Sequence, residues 1–315
     1  MKPDVSIVLY RPDAMAFAQI LQMWSGLEDE VRRVRILISG AAASERSLMP
    51  PPSLTPSMFD LVFRHDNIGF ASGHNLLLER AFASDAPSVL VANPDLAIAP
   101  EGISRLVATS VADGATALYA PLLERLDEDY RPTGTVDSAG IFWDRYGRHF
   151  DYLQGSPVPP LDLAVHSRLG VTGACMLVTA RAHRLVVRRT TYFFDDTFLA
   201  YREDAELGIR AKLVDVDSRV VYLSGFGHVR TVRGFTRGNR LADLLGVKNR
   251  FLIKYALGRH RPGLWPLPFL RDALVFVGAA VRERSSLPGL REARRIRGFV
   301  VARGRRARDS GRTRL

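Results

Sequence analysis

The stretch "SVLVANPDLAIAP", residues 88–100, decides the fold. Val89 to Ala92 read as a strand buried on both faces, Asn93-Pro94-Asp95 halts it, and the chain turns apolar again at Leu96. Taken alone, the three residues are a polar turn that lets a buried strand exit to water. Working outward, "VSIVLY" (5–10), "VRILIS" (34–39), "LVFR" (61–64) and "VLVAN" (89–93) all read as buried strands. Residues 14–26 and 73–83 between them carry apolar residues at helical spacing. The alternation predicts a parallel α/β half-domain. Ligands of such sheets collect beyond the carboxyl ends of the strands, where Tyr10, Ser39 and Asp95 are expected to project.

Size and charge bound the rest. A chain of 315 residues with 47% hydrophobic content is long enough to bury a full core, as one large domain or two smaller ones. Its net charge of +11 is uneven: residues 282–315 hold twelve arginines against three acidic residues, which leaves the body nearly neutral. A nucleic-acid-binding protein would interleave basic and aromatic residues over the folded body, so no nucleic-acid partner is expected. The segment "RRIRGFVVARGRRARDSGRTRL" reads as a solvated tail or as an attraction to anionic lipid headgroups, at about 1 kcal/mol per basic residue near the surface. Cys175 is the only cysteine, which excludes an intramolecular disulfide and suits a reducing compartment. The first residues lead directly into a β-type run without a signal-like apolar region, so a cytoplasmic location is expected.

The segment "LWPLPFLRDALVFVGAAV" (264–281) is interrupted by Arg271 and Asp272, and its unbroken part falls well short of the roughly 20 residues of a spanning helix. It reads either as a docked core helix or as an amphipathic segment lying on a membrane.

Two further stretches have the composition of sites. "HDNIGFASGHN" (65–75) follows a strand and precedes a helix. Gly69 and Gly73 there permit a tight backbone whose N–H groups would cradle a phosphate, unless it is an ordinary glycine-rich turn. It is not a P-loop, since no Gly-Lys-Ser/Thr follows. "FFDDTFLAYREDAELGIRAKLV" (193–214) sets Glu203-Asp204 just before a helical pattern. Acids there favour the helix dipole, and a carboxylate held at such an end is also suited to accept a proton.

The order of these pieces carries a resemblance. A first strand, "DNIGFASGHN", "VANPD", "GVTGACMLVTA", "FFDDTFLAYREDAELGIRA" and "GFGHVRT" together resemble the family 2 glycosyltransferases, in particular their bacterial rhamnosyltransferase-like branch. The likeness runs from residue 4 to about 255. It implies a GT-A fold, a Rossmann-like mixed α/β sheet flanked by helices, with a C-terminal helical extension. The implied division is 1–235 catalytic, 236–281 helical and possibly membrane-associated, and 282–315 a basic arginine-rich tail.

The resemblance also implies roles. Asp95, two residues after Asn93, and His228 would hold Mg²⁺ or Mn²⁺ against a donor diphosphate, where a hard cation takes few protein carboxylates and several phosphate or water oxygens. Asp204 would be the catalytic base, Glu203 would orient it, and Gly173 and Ala174 would leave room for the sugar. Tyr10, Ser39, Asn67, Gly69, Gly73 and Asn75 would complete the donor site. Arg230 and Arg233 would meet a diphosphate, and Lys248, Arg250 and Lys254 of "KNRFLIKY" would face phosphates of a lipid-linked acceptor or form a charged outer helix face.

The chain departs from the family pattern in three places. "SGAAASER" puts Ser39 where an acid recognises the base, no Gly-Gly precedes "FFDDTF", in which Asp196 replaces a Glu, and "KLVDVDSRVVYL" lacks a glycine turn. The expected reaction is inverting transfer of a sugar, L-rhamnose from dTDP-rhamnose, from a nucleotide-sugar donor to a surface glycan or polyprenyl-diphosphate-linked saccharide at the inner face of the cell membrane. Another hexosyl or galactofuranosyl transferase of the same fold is the nearest alternative. A sugar nucleotidyltransferase would carry a Gly-rich basic signature in its first loop, which "LYRPDAMAF" does not resemble.

Overall fold

The structure, a computed structural model, describes residues 1–40, 57–230, 240–281 and 286–310. Arg233 and most of "SGAAASER" lie outside the described residues.

Strand β1 (Asp4–Tyr10) is buried along nearly all its length because it is paired on both sides. Helix α1 (Ala14–Ser25) follows, opened by Asp13, whose side chain accepts from the Ala16 N–H. Then come β2 (Arg33–Ser39), β3 (Phe59–Arg64), α2 (Gly69–Ala83) and β4 (Ser88–Ala92). The four strands are parallel in the order β3-β2-β1-β4, with Tyr10 opposite Ser39 and Ser39 opposite Arg64. The expected parallel half-domain is present, and its carboxyl ends share one edge.

The chain continues through β5 (Leu96–Ile98), α3 (Gly102–Asp113), β6 (Ala117–Pro121), β7 (Leu123–Leu126), β8 (Pro132–Ser138), β9 (Ile141–Trp143), β10 (His149–Asp151) and β11 (Val165–Arg168). After β12 (Cys175–Thr179) and α4 (Ala180–Thr190) come α5 (Glu203–Lys212), β13 (Asp217–Val221) and β14 (Phe226–Val229). Strand β12 enters antiparallel between β4 and β6, and β13 and β11 complete an eight-stranded mixed sheet. A smaller sheet, β5-β14-β7-β8, begins immediately after Asp95. Asp95 therefore sits where the chain passes from one sheet to the other.

Side chains alternate across the large sheet, so Leu90 and Ala92 join α1 and α3 on one face while Val89 and Val91 join α2, α4 and α5 on the other. The remaining helices are α6 (Arg240–Leu257), α7 (Leu267–Val281), α8 (Leu287–Arg295) and α9 (Arg297–Ser310). Leu252, Ile253, Ala293 and Val300 of α6, α8 and α9 share a core with Ala205 and Ile209 of α5. Much of the basic segment is thus folded onto the body, with Arg303 paired to Asp195 and Asp196. Among the described residues, no helix is long and apolar enough to cross a membrane.

Helix α2 begins at Gly69, four residues before the periodicity predicts, so Gly73 and Asn75 lie inside it. The reason is a distant cap: the Leu199 carbonyl accepts from the Phe70 N–H at 2.7 Å and from the Ala71 N–H at 3.4 Å. A first turn satisfied by a carbonyl about 130 residues away leaves no local sequence signal.

Candidate functional site

Two backbone bonds fix the turn that carries Asp95. The Asn93 N–H donates to the Ala174 carbonyl (2.8 Å), and the Val229 N–H donates to the Asp95 carbonyl (2.9 Å). Because β14 runs antiparallel to β5 with His228 opposite Leu96, its imidazole is delivered to the Asp95 carboxylate, Nε2 to Oδ1 at 3.1 Å. The other ring nitrogen, Nδ1, lies 2.8 Å from Oδ2 of Asp137 on β8. Arg230 donates to Asp137 through Nε (2.9 Å) and to Asp151 through Nη2 (2.7 Å).

These contacts set the charges. Burial opposes a charged His228, but its hydrogen bonds to Asp137 and Asp95 outweigh that and raise the imidazole to about 9. Burial likewise pushes the Asp137 carboxyl up, and the His228 bond with the Arg230 charge brings it below its ordinary value. A carboxylate on the far nitrogen fixes the ring's orientation and leaves Nε2 facing Asp95, an arrangement common behind metal-ligating histidines. Asp95 and His228 thus offer one oxygen and one nitrogen within reach of a single ion. Among the described residues, no group of three or more His, Cys, Asp or Glu side chains is arranged to hold a metal. Phosphate and water oxygens would have to complete the shell, which fits a hard divalent cation bound together with a substrate phosphate.

The carboxylate pair stands at the start of α5. Asp204 accepts from the Gly173 N–H (3.0 Å) and from the Ala205 N–H (2.7 Å), and its side chain stays partly exposed. Burial raises its pKa, and the Gly173 hydrogen bond opposes the rise. Glu203 is buried, and burial followed by the Asp204 charge pushes it to about 8. Of the pair, Glu203 is thus the one held near 8, while Asp204 keeps two backbone N–H donors on its carboxylate and part of its side chain open to solvent. Asp151 also bears on Asp204, since its negative charge contributes to the raised pKa. Asp95, His228, Asp137, Arg230 and Asp151 are therefore linked in series from the metal-side turn toward the base.

The loop entering α5 is held in uncommon backbone. Leu199, Tyr201 and Arg202 have φ of 67°, 69° and 76°, values that cost non-glycine residues on the order of 1–3 kcal/mol each unless the surroundings enforce them. Asn249 on α6 enforces them, donating Nδ2 to the carbonyls of Phe198, Ala200 and Tyr201 at 2.7–3.1 Å. At Gly208, one turn into α5, a Cβ would collide with the Leu169 carbonyl, so only glycine lets the helix approach this closely.

Several expected donor residues have other tasks. The phosphate cradle is a correction: the Ile68 N–H donates to Ser39 Oγ, the Gly69 N–H to Asn67 Oδ1, and Phe70 and Ala71 to Leu199. Ser39 is fully buried and donates to the Asp66 carbonyl, so it pins this loop. A Cβ at Gly73 would strike Val8, and Asn75 is bonded both ways to the Phe194 backbone. Tyr10 stands exposed at the end of β1. Lys248 pairs with Glu292, and Arg250 and Lys254 pair with Asp272, so these three are not a free outer face. Asp137 and Asp151 carry no motif around them, and only the fold reveals them; Asn249 lies within "KNRFLIKY", a pattern that draws attention to its basic neighbours and not to the amide.

No protein-family model matches this sequence, and no curated protein matches it. Solved structures do match. GalNAc-T7, in a complex with UDP, GalNAc and Mn²⁺, aligns over 87% of this chain at 11% identity with a TM-score of 0.56. This chain spans about half of that one, 54% of its length. The mannosyltransferase PcManGT from Pyrobaculum calidifontis, in a complex with GDP-Man and Mn²⁺, aligns over 98% of this chain and 86% of its own at 12% identity and a TM-score of 0.51. The chain has the GT-A fold.

Proposed function

We propose that the chain is a metal-dependent glycosyltransferase that moves a sugar from a nucleotide donor to an acceptor hydroxyl with inversion. One observation carries the reading: the Gly173-Ala174 segment bonds the Asp95 turn through the Ala174 carbonyl and the Asp204 carboxylate through the Gly173 N–H. A donor-side metal pair and a base are thereby held on the two sides of one short backbone segment. That both structural relatives named above were solved with Mn²⁺ and a nucleotide or nucleotide sugar supports the same reading.

Asp95 and His228 would hold Mg²⁺ or Mn²⁺, which when bound would neutralise the charge that grows on the departing diphosphate. Asp137 keeps the His228 ring turned toward Asp95. Asp204, partly exposed, takes the proton of the acceptor hydroxyl in its carboxylate form as the hydroxyl oxygen attacks the anomeric carbon from the face opposite the leaving group. Glu203, pushed to about 8 by burial and the Asp204 charge, favours keeping its own proton behind that base. Tyr10 and Asn93, at the carboxyl ends of β1 and β4, border the donor.

On the sequence resemblance, the donor sugar is L-rhamnose carried by dTDP and the acceptor a surface glycan or polyprenyl-diphosphate-linked saccharide at a membrane face. Donor hydrolysis and transfer measured across dTDP-, UDP- and GDP-sugars with Mn²⁺ test this directly. Turnover of dTDP-rhamnose above the others is the expected result, and turnover confined to another sugar would overturn the rhamnose assignment.

A further inference from the structure

Helix α7 is built inside out. Asp272 on its inner side is 4% exposed, whereas Trp265 just before the helix, and Phe269 and Leu274 on it, are 83%, 62% and 72% exposed. The inner carboxylate meets three cations at once: Arg250 (3.1 Å), Arg261 (2.7 Å) and Lys254 (3.4 Å). Arg261 also donates to the Gly147 carbonyl, which ties α7 to the turn carrying Arg148.

Cations outnumber carboxylates here. Arg148 before β10, Arg202 before Glu203, Arg250 on α6, Arg261 in the turn before α7 and Arg271 on α7 lie near enough for their charges to bear on one another. Burial and then the charges of Arg250, Arg271, Arg148 and Arg261 lower Arg202 to about 10, and burial with its own arginine neighbours lowers Arg271 to about 10. His149 is driven well below its ordinary value by burial and by Arg202, Arg271, Arg148 and Arg250. Two guanidinium nitrogens, Arg250 Nη2 and Arg261 Nε, are buried and have no hydrogen-bond partner among the described residues, although other nitrogens of both groups are bonded. Arg250 is more than nine-tenths buried. Buried guanidinium N–H groups without acceptors are costly, and a fork of such donors matches the oxygens of a phosphate.

We propose that Arg148, Arg202, Arg250 and Arg271 form a binding site for the phosphate or diphosphate of a lipid-borne acceptor, whose apolar chain leaves along the exposed face of α7. The commitment to a lipid-borne ligand rests on the adjacency of the two features, since Arg271 and the exposed Leu270 and Leu274 are on the same helix. Cationic side chains beside an apolar helix face suit an anionic headgroup joined to hydrocarbon. The inference rests on the transferase reading for its placement, because Arg202 directly precedes the Glu203-Asp204 pair and sets the phosphate on the acceptor side of the base.

The test is binding of farnesyl diphosphate, inorganic pyrophosphate and farnesol to the full chain in EDTA, which disables the metal-assisted donor site. Farnesyl diphosphate is expected to bind at least tenfold more tightly than either of the others. The Arg148→Ala/Arg271→Ala double variant is expected to lose at least tenfold, and Arg271→Lys less. Equal binding of farnesyl diphosphate by the wild type and the double variant would overturn the site, and equal affinity for pyrophosphate would overturn the lipid-borne ligand. Nucleotide-sugar binding with Mn²⁺, measured on the same preparations, separates the two readings. If the wild type binds no donor but the arginine-dependent affinity stands, the transferase reading falls and the anion site remains.

Discussion

The Gly173 N–H lies 3.0 Å from Asp204 Oδ2, so the backbone that enters β12 aims the carboxylate at the start of α5. A Cβ at Gly173 would come within 3.1 Å of Phe70 and 3.6 Å of Asp204, and glycine keeps the bond short and the space beside the carboxylate open. Asp204→Asn retains an oxygen for that N–H but cannot take a proton. Transfer is expected to fall by about 10²–10⁴-fold. Steady-state kinetics beside an unchanged melting curve check it.

Glu203 adds a pH dependence of stability. Its folded-state pKa, about 8, lies above its ordinary 4.5, so between those values the folded chain holds a proton that the unfolded chain has released. Stability from this group is present below pH 4.5 and lost as pH rises toward 8, with a slope of at most about 1.4 kcal/mol per pH unit. Glu203→Gln is expected to flatten urea-unfolding stability over that window. A slope identical to the wild type would contradict the buried protonated state.

Asp137 acts through His228 without facing the donor itself. Asp137→Asn weakens the hold on Nδ1 and removes one of the two carboxylates that pair with Arg230. Loss of such a partner typically costs 10–100-fold in metal affinity. Mn²⁺ titration should show that loss, with the activity recovered in part at high Mn²⁺, which a general packing defect would not allow.

Asn249 is the clamp on the loop before α5. Asn249→Ala removes the donors to the carbonyls of Phe198, Ala200 and Tyr201, and the expected loss is on the order of 2 kcal/mol or more. Chemical denaturation measures it. Because the same loop leads into Glu203-Asp204, kcat is expected to fall more than KM changes.

What was legible in the sequence was what local pattern encodes. The strands at 5–10, 34–39 and 89–93 are readable because each is buried on both faces and so runs almost continuously apolar, and the run at 61–64 is readable from its apolar residues although the edge strand that holds it is only half-buried. Asp95, His228, Gly173 and Asp204 were readable through motif order, and the fold brings the first two into contact and the last two into contact. The role of "NIGFASGHN" was not readable, because the acceptors that occupy its N–H groups come from Ser39 and Leu199, far away in the chain. Asp137 and Asn249 escaped notice for the same reason. Each acts on a partner about 50 to 90 residues distant; Asp137 sits in no pattern of its own, and the "KNRFLIKY" pattern around Asn249 draws attention to its basic residues.

The most direct test of the central claim is the thermal shift produced by a panel of nucleotide sugars with and without Mn²⁺, in the wild type and in Asp95→Ala. Binding to the folded state raises apparent stability with occupancy, by about 2.7 kcal/mol at a hundredfold excess over Kd. At least one donor is expected to raise the wild-type Tm only when Mn²⁺ is present, and Asp95→Ala is expected to lose that shift while melting normally without ligand. A shift that is independent of Mn²⁺, or one kept in full by Asp95→Ala, would contradict the account.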